Sequence, residues 1–266
     1  MSRSPQPLRP GVMNENEPLV LLHGLGMSAR VWAPVRRVLE YPTVAPTLLG
    51  HRGGRVPARA PVRVSDVVDD VEARLDDLGV ERAHIVGNSL GGWVAIELAR
   101  RGRARSVCAF SPAGCWTAGT EGQTVGVARI RRLITLTRLG QSLPLMHFAA
   151  VRRLALRDVA VRGDRLSASE AREGGRDLLS CTIAEDVLTT PDELQPLDPL
   201  PCPITLAWSR EDRITPLTSN GAVARSRLPR ASWVELPGCG HVPMIDDPER
   251  VAATIRHAMR ATASRT

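Results

Sequence analysis

The chain has 266 residues, of which 43% are apolar and 24% charged, and this balance indicates one large globular domain with a substantial core. All 35 basic residues are arginine, and the absence of lysine excludes Schiff-base chemistry and a phosphate-loop lysine. The formal net charge of +7 is spread along the whole chain, which favours a general arginine bias of the surface over nucleic-acid binding.

The cysteines and the apolar runs indicate in which cellular compartment the protein is expected. The five cysteines are odd in number, widely spaced and without a Cys-x-x-Cys pair, so neither a disulfide framework nor a zinc site is predicted. No apolar run follows Arg3 and Arg9, and no stretch approaches the roughly 20 apolar residues that a membrane span needs. We therefore expect a cytoplasmic protein with no metal and no membrane span.

Strand and helix patterns alternate along most of the chain after a polar tail, residues 1–16. Short continuous apolar runs, typical of strands buried on both faces of a parallel sheet, lie at 18–22, 43–48, 83–86, 107–110, 204–208 and 233–236. Helical patterns lie between and after them, at 29–40, 65–78, 93–101, 218–228 and 248–259. The alternation predicts an α/β fold with a mostly parallel, doubly wound sheet.

This alternation breaks between residues 115 and 196, where the patterns are helical and no clear strand occurs. A helical insertion between two strands of one sheet is a cap and not an independent domain. We therefore predict a tail of 1–16, an α/β core formed by 17–114 and 197–266, and a helical cap of 115–196.

The region 115–165 is unusually basic, with nine arginines against Glu121, Asp158 and Asp164. A basic face that receives an acidic substrate is one interpretation. The interpretation we favour is a solvated helix face.

A candidate nucleophile lies in Gly87-Asn88-Ser89-Leu90-Gly91, between a predicted strand and a predicted helix. A serine hydroxyl must be exposed and close to a base in order to attack, and a sharp strand-to-helix turn, the nucleophile elbow, exposes it. Glycines two residues on either side leave room for that strained turn. Ser89 is the predicted nucleophile, and the alternative is a glycine-rich helix start with an incidental serine.

The general base is expected in a loop after a late strand. Gly238-Cys239-Gly240-His241 follows the strand that ends at Leu236, and its glycines allow a tight loop that presents the imidazole. The other five histidines lie in a strand, on the terminal helix, in early loops or in the predicted cap. His241 is therefore favoured by its position.

The acid that orients the base is expected after the strand ending at Trp208. Asp212 has the expected offset and a shorter reach than the adjacent Glu211. Ser89, Asp212 and His241 each come beyond the C-terminal end of a predicted strand, where ligand sites of such sheets lie. We therefore predict that these three residues form a catalytic triad.

Two backbone N–H groups are candidates for an oxyanion hole. Leu90 begins the helix after Ser89, so its N–H is directed toward the developing oxyanion. A second donor should come from His23-Gly24-Leu25-Gly26 after the first strand; Leu25 is the first candidate and Gly26 the alternative. His23 itself is interpreted as structural.

These motifs resemble the α/β-hydrolase superfamily over nearly the whole chain. The resemblance rests on the serine motif, His23-Gly24-Leu25-Gly26, Gly50-His51-Arg52-Gly53, Glu211-Asp212 with Pro216, and Gly240-His241 with Pro243 and Pro248. It implies the fold and the triad but not the substrate. The superfamily usually begins with an antiparallel hairpin, which residues 1–16 do not resemble.

Ser89 and Asn88 indicate which branches of the superfamily the chain resembles. Epoxide hydrolases and haloalkane dehalogenases of this superfamily carry Asp at the nucleophile position, and Ser89 argues against both. Asn88 is similar to what is seen in enzymes that hydrolyse C–C bonds of ring-cleavage products, although other esterases share it.

The activity implied is hydrolysis of a carboxylic ester or lactone of a small, mainly apolar substrate through an acyl-serine, without a cofactor. C–C hydrolysis, perhydrolysis and acyl transfer on the same triad are alternatives, as is a non-catalytic small-molecule-binding protein of this fold. The predicted pocket residues are Trp116, Met146, Phe148 and Val242, although such residues are more often plain core. The oligomeric state is left open.

Overall fold

A computed structural model describes residues 18–140 and 144–261, and the predicted tail and the question of an N-terminal hairpin lie outside them. The sheet has six parallel strands in the order β2-β1-β3-β4-β5-β6. They are β1 (Leu19–Leu22), β2 (Thr43–Val44), β3 (Ala83–Asn88), β4 (Ala104–Phe110), β5 (Ile204–Ser209) and β6 (Ser232–Leu236). The predicted mostly parallel sheet is confirmed.

Helices cover the sheet on both faces. They are α1 (Ala33–Leu39), α2 (Val64–Asp77), α3 (Leu90–Arg100), α4 (Glu121–Gly140), α5 (Ala149–Ala155), α6 (Ala168–Leu179), α7 (Ala184–Leu188), α8 (Ala222–Arg227), α9 (Pro243–Asp246) and α10 (Pro248–Arg260). One core cluster contains the apolar stripes of α2, α3 and α8, and a second contains those of α1 and α10. Two separate clusters are what a sheet buried on both faces requires.

The strand order creates a crevice at one edge of the sheet. From β1 the chain moves outward to β2 and then returns to the other side of β1 as β3. In open parallel sheets, ligands bind outside the carboxyl ends of the strands where the order reverses. The loops after β1 and β3, which carry Leu25 and Ser89, therefore lie at the expected place for a ligand.

Two predicted elements differ in detail. The strand predicted at 43–48 ends at Val44, two residues before Pro46, which has no N–H to donate to a sheet ladder. The helix predicted at 218–228 begins as a π turn, Leu217–Gly221, and continues as α8. The short helix α9, directly after His241, was not predicted from the sequence.

Between β4 and β5 the described residues form helices α4 to α7 and short 3-10 turns, with no strand. We call residues 115–196 the inserted segment. No helix in the described ranges combines the length and the apolar character that crossing a bilayer requires.

Candidate active site

Ser89 occupies the turn between β3 and α3 with a backbone conformation that side chains rarely adopt, φ 53° and ψ −117°. Its N–H donates to the Phe110 carbonyl at 3.0 Å, and its carbonyl accepts from Ala113 at 3.0 Å, so neighbouring elements hold the strained turn. The serine side chain is therefore fixed at the carboxyl end of β3, where it lines a cavity.

The flanking glycines are required by close backbone approach. A Cβ at Gly87 would overlap the Gly91 carbonyl, and a Cβ at Gly91 would overlap the carbonyl oxygens of Leu22 and His23 at the end of β1. Backbone atoms cannot give way as a flexible side chain can. The steric argument made from the sequence therefore holds at both positions.

Asp212 and His241 meet in a buried pair. His241 Nδ1 lies 2.8 Å from Asp212 Oδ2, and both side chains are almost fully buried. The other carboxylate oxygen, Oδ1, accepts the N–H groups of Ile214 at 2.8 Å and Thr215 at 2.9 Å. Glu211, the other carboxylate considered from the sequence, is exposed to solvent, so Asp212 is the residue that pairs with His241. This arrangement leaves Nε2 of His241 as the nitrogen available to a nucleophile.

Thr215 is a member of this cluster that sequence reasoning did not identify. Its hydroxyl donates to Asp212 Oδ2 at 3.0 Å and lies 3.3 Å from His241 Nδ1, and the residue lines the same cavity as Ser89. The spacing Asp212-x-x-Thr215, with the Asp side chain capping its own turn, was a signal that could have found it.

The loop that carries His241 is held from two sides. Asn88, next to the serine, donates its side-chain amide to the His241 carbonyl at 2.9 Å. On the other side, the buried Asp246 carboxylate accepts the N–H groups of Gly240 at 2.7 Å, Arg162 at 2.7 Å and Val161 at 3.2 Å. Burial raises the pKa of Asp246, and these hydrogen bonds only partly offset it. Asp246 therefore links the base's loop to the inserted segment.

Two buried histidines shape the loops that face Ser89. His23 Nε2 accepts the Leu48 N–H at 3.0 Å, and His51 Nε2 accepts the Gly26 N–H at 3.0 Å. Their rings pack edge to face with centroids 4.8 Å apart. Burial, aided by the nearby His51, lowers the pKa of His23 to about 3, and burial also lowers the pKa of His51. Both are therefore neutral and serve the loop backbone.

The same contacts bear on the second oxyanion donor. The Gly26 N–H is engaged by His51, whereas the Leu25 N–H makes no hydrogen bond to a described residue. Leu25 and Leu90 both line the cavity with Ser89. Of the two alternatives, the geometry favours Leu25.

The cavity above Ser89 is narrow, about 40 Å³, and mainly apolar. The inserted segment supplies eight of the fourteen residues that line it, chiefly from α4 and α7. Its lining comprises Leu25, Ser89, Leu90, Ala113, Trp116, Gly122, Gln123, Gly126, Val127, Ile130, Val187, Leu188, Ile214 and Thr215.

Of the four predicted pocket residues, the structure brings only Trp116 to this wall. Val242 is fully buried in the second core cluster because its backbone N–H pairs with the Val159 carbonyl and seats it under the base's loop. Phe148 lies at the N-terminal end of α5 and is 63% exposed. Met146 belongs to the turn before α5 and is also outside the lining.

A buried carboxylate fastens the inserted segment to the loops near Ser89. Asp177 of α6 accepts from the Ser28 hydroxyl at 2.7 Å and from Arg52 Nε at 2.6 Å, and it also pairs with Arg30. Burial opposes ionisation, but these donors outweigh it and lower the pKa of Asp177. The segment is thereby held against the loops after β1 and β2.

Comparisons with known proteins assign the chain to a family. The family model described as "Alpha/beta hydrolase family" matches residues 19–254. Epoxide hydrolase EphH of Mycobacterium tuberculosis is 35% identical over 198 residues, which cover 71% of this chain and 91% of that protein. The pimeloyl-[acyl-carrier protein] methyl ester esterase of Aromatoleum aromaticum is 29% identical, over 91% of this chain and 98% of that protein.

A solved structure supports the fold. The 2-hydroxy-6-oxo-6-phenylhexa-2,4-dienoate hydrolase of Rhodococcus sp. strain RHA1 superimposes with a TM-score of 0.70 at 23% identity, covering 92% of this chain and 91% of that one. Relatives with different activities share this scaffold, because the substrate is determined by the site and not by the fold. The family model, the EphH match and the six-stranded parallel sheet agree: this chain is a hydrolase of the alpha/beta hydrolase family.

Proposed function

We propose that the chain is a serine hydrolase that cleaves a carboxylic ester or lactone of a small, mainly apolar substrate through an acyl-Ser89 intermediate. The observation that carries the proposal is the 2.8 Å contact between His241 Nδ1 and Asp212 Oδ2, in a loop that Asn88 ties to the serine turn. An oriented base whose loop is tied to the turn of a serine that lines a cavity is the arrangement that activates a hydroxyl.

The chemistry follows from these positions. His241 takes the Ser89 proton while Oγ attacks the ester carbonyl carbon, and Asp212 stabilises the imidazolium. The N–H groups of Leu25 and Leu90 donate to the tetrahedral oxyanion. When the intermediate collapses, the alcohol leaves with the proton from His241. Water then attacks the acyl-serine with His241 again as base, which releases the acid and restores Ser89.

The inserted segment acts in this proposal as a cap that selects the substrate. It supplies Trp116 and the apolar faces of α4 and α7 to a wall that offers few polar groups. A cavity of about 40 Å³ is far below the few hundred Å³ typical of pockets for larger ligands. We therefore expect esters of short acids to be turned over faster than esters of long ones.

The test combines labelling and turnover. We expect a fluorophosphonate probe to label wild type at Ser89, and p-nitrophenyl acetate and butyrate to be hydrolysed faster than the laurate. Ser89→Ala should lose both labelling and turnover. A folded wild type that neither labels nor hydrolyses any ester or lactone would contradict the proposal, and ligand-induced thermal stabilisation without product would then favour a binding protein.

The same assay separates the alternatives on this triad. An epoxide tests for epoxide opening, and a vinylogous diketone of the ring-cleavage type tests for C–C hydrolysis. Added hydrogen peroxide tests for perhydrolysis, and an added alcohol acceptor tests for acyl transfer. Epoxide turnover that survives Ser89→Ala would show that another residue is the nucleophile, and the proposal would fail.

A further inference from the structure

The inserted segment contains a long stretch without acidic residues. Residues 122–157 include seven arginines and neither Asp nor Glu. A stretch of one charge sign that also carries large apolar residues is unusual for a solvated surface, where both signs are normally interspersed. The active site proposed above uses only the beginning of this stretch, at the start of α4. The remainder has no part in that chemistry.

Apolar side chains are exposed around α5. Phe148 is 63% exposed, Leu154 62% and Leu145 45%. The chain has two phenylalanines, and the other, Phe110, is fully buried. Contiguous exposed apolar surface marks interaction sites, and these three side chains lie within ten residues of one another around a single short helix. We call Leu145, Phe148, Arg153, Leu154 and Arg157 the Phe148 patch.

The arrangement of α5 separates an inward from an outward face. Arg152 is buried and donates to the carbonyls of Met146 and His147 at 2.7 and 2.9 Å, so it fastens the turn before the helix. Arg153 and Leu154 of the helix are exposed, and so is Arg157 in the turn that follows it. The outward face therefore combines an apolar residue with two guanidinium groups.

Neither arginine of this face forms a direct ion pair with a described carboxylate, although Arg153 lies close enough to Asp164 to help lower the pKa of that carboxyl. By contrast, Arg131 and Arg132 of α4 pair with Glu185 and Asp158. A second copy of the chain would place arginines against arginines, which disfavours self-association through this face. Nucleic acid would engage the arginines but give no reason for exposed Phe148 and Leu154.

We propose that the Phe148 patch docks the protein onto an anionic lipid surface, with Phe148, Leu154 and Leu145 inserted at the headgroup level and Arg153 and Arg157 against lipid phosphates. Apolar residues beside arginines on a short exposed helix are the combination that interfacial binding requires. The residues just after the patch, Val159 to Arg162, contact the loop of His241, so docking would hold the site close to the lipid.

The experiment measures binding of the full chain to vesicles and does not depend on catalysis. Vesicles of phosphatidylcholine alone are compared with an equimolar mixture of phosphatidylcholine and phosphatidylglycerol by flotation, at low and at high salt. We expect binding to the anionic vesicles that weakens with salt, and little binding to the neutral ones.

Paired variants separate the patch from overall charge. Arg153→Gln with Arg157→Gln should weaken binding roughly 30-fold, because each arginine near an anionic surface contributes roughly five- to sixfold. Arg37→Gln with Arg260→Gln removes the same charge from exposed positions of α1 and α10 and should have a much smaller effect. Phe148→Ser with Leu154→Ser should weaken binding roughly tenfold, whereas Leu78→Ser, at an exposed position after α2, should not.

Three outcomes would overturn the proposal. The first is equal weakening by both arginine pairs, which would reflect net charge alone. The second is absence of binding to anionic vesicles at low salt by a chain whose circular dichroism and thermal unfolding are normal. The third is binding to an oligonucleotide or self-association that is lost with the patch arginines but is unchanged in Phe148→Ser with Leu154→Ser.

Discussion

Asp246 and Gly240 are joined by a 2.7 Å hydrogen bond that fixes the residue immediately before His241. The same carboxylate accepts two N–H groups of the inserted segment, so one buried side chain sets the position of the base relative to the wall of the cavity. Hydrogen bonds to a charged acceptor contribute about 1.5–3 kcal/mol each, enough to hold a loop in one conformation.

Asp246→Asn should therefore lower kcat roughly tenfold with a smaller change in KM. Its NH2 group replaces one of the two accepting oxygens and would face either the Arg162 N–H or the Gly240 and Val161 N–H groups, so the loop and the imidazole lose their fixed position. Steady-state kinetics on a short p-nitrophenyl ester measure this split. Asp246→Glu, which keeps the charge, should recover part of the lost kcat.

Asp247 supplies a matched control next to it. Its side chain accepts the Arg250 N–H at 3.0 Å and caps α10, and it forms no hydrogen bond to the described loop of His241. Asp247→Asn should leave kcat within about twofold, since an Asn cap retains most of the stabilisation. Equal losses of kcat in the two variants would mean that Asp246 is not a positioning residue.

Thr215 should tune the base through Asp212. Thr215→Val keeps the shape but removes the hydroxyl that donates to Asp212 Oδ2 at 3.0 Å, so the carboxylate loses one of its donors. We expect kcat/KM to fall by roughly 5- to 30-fold, which corresponds to about 1–2 kcal/mol. Thr215→Ser should recover most of the activity, and a fully active valine variant would contradict this role.

Gly91→Ala should destabilise the fold by about 3 kcal/mol or more, because its Cβ would overlap the backbone of β1. Gly174→Ala in α6 is the control, since a Cβ there meets nothing within 4 Å and alanine favours a helix by up to about 1 kcal/mol. Urea unfolding of the two variants gives the comparison. Similar stability of both would contradict the steric account of the elbow.

His23 predicts a specific loss of stability in acid. Its folded pKa is lowered to about 3, below the unfolded value of about 6.5, so the unfolded chain binds the proton first as the pH falls. Its contribution is therefore complete above pH ~6.5 and is lost at up to about 1.4 kcal/mol per pH unit as the pH falls toward 3.

His23→Gln removes the imidazole that binds this proton, and the glutamine side chain can still accept the Leu48 N–H. The variant's free energy of unfolding should decline less steeply than that of wild type between about pH 6.5 and pH 5, by close to one proton in the linkage slope. Urea titrations at these two pH values measure the slopes. Parallel decline of the two proteins would show that His23 is not the titrating group.

The positions of the strands along the chain and the members of the candidate triad could be predicted from the sequence for a physical reason. Strands buried on both faces are continuous apolar runs, and in a parallel sheet their carboxyl ends meet at one edge. Asp212 and His241 follow two such runs, and the structure brings them within 2.8 Å. That Ser89 acts as their nucleophile stays a prediction.

The inserted segment could not be predicted to the same depth. Its helices carry buried charge, as at Arg152 and Asp177, and exposed apolar residues, as at Phe148, so periodicity does not reveal which face meets the core. The role of Asp246 depends on contacts with Val161 and Arg162 about 85 residues away in sequence, and no local pattern encodes them. Accordingly, of the cap residues that were chosen for their bulk, Trp116 lines the cavity but Phe148 lies on the surface.

The most direct test of the central claim is to detect the acyl-enzyme intermediate by mass spectrometry. Wild type mixed with excess p-nitrophenyl butyrate and quenched in acid should show, by intact-protein mass spectrometry, a population heavier by one butyryl group, and peptide mapping should place that group on Ser89. His241→Ala should slow its formation. Continued ester hydrolysis by Ser89→Ala, or an acyl group found on a different residue, would contradict the account.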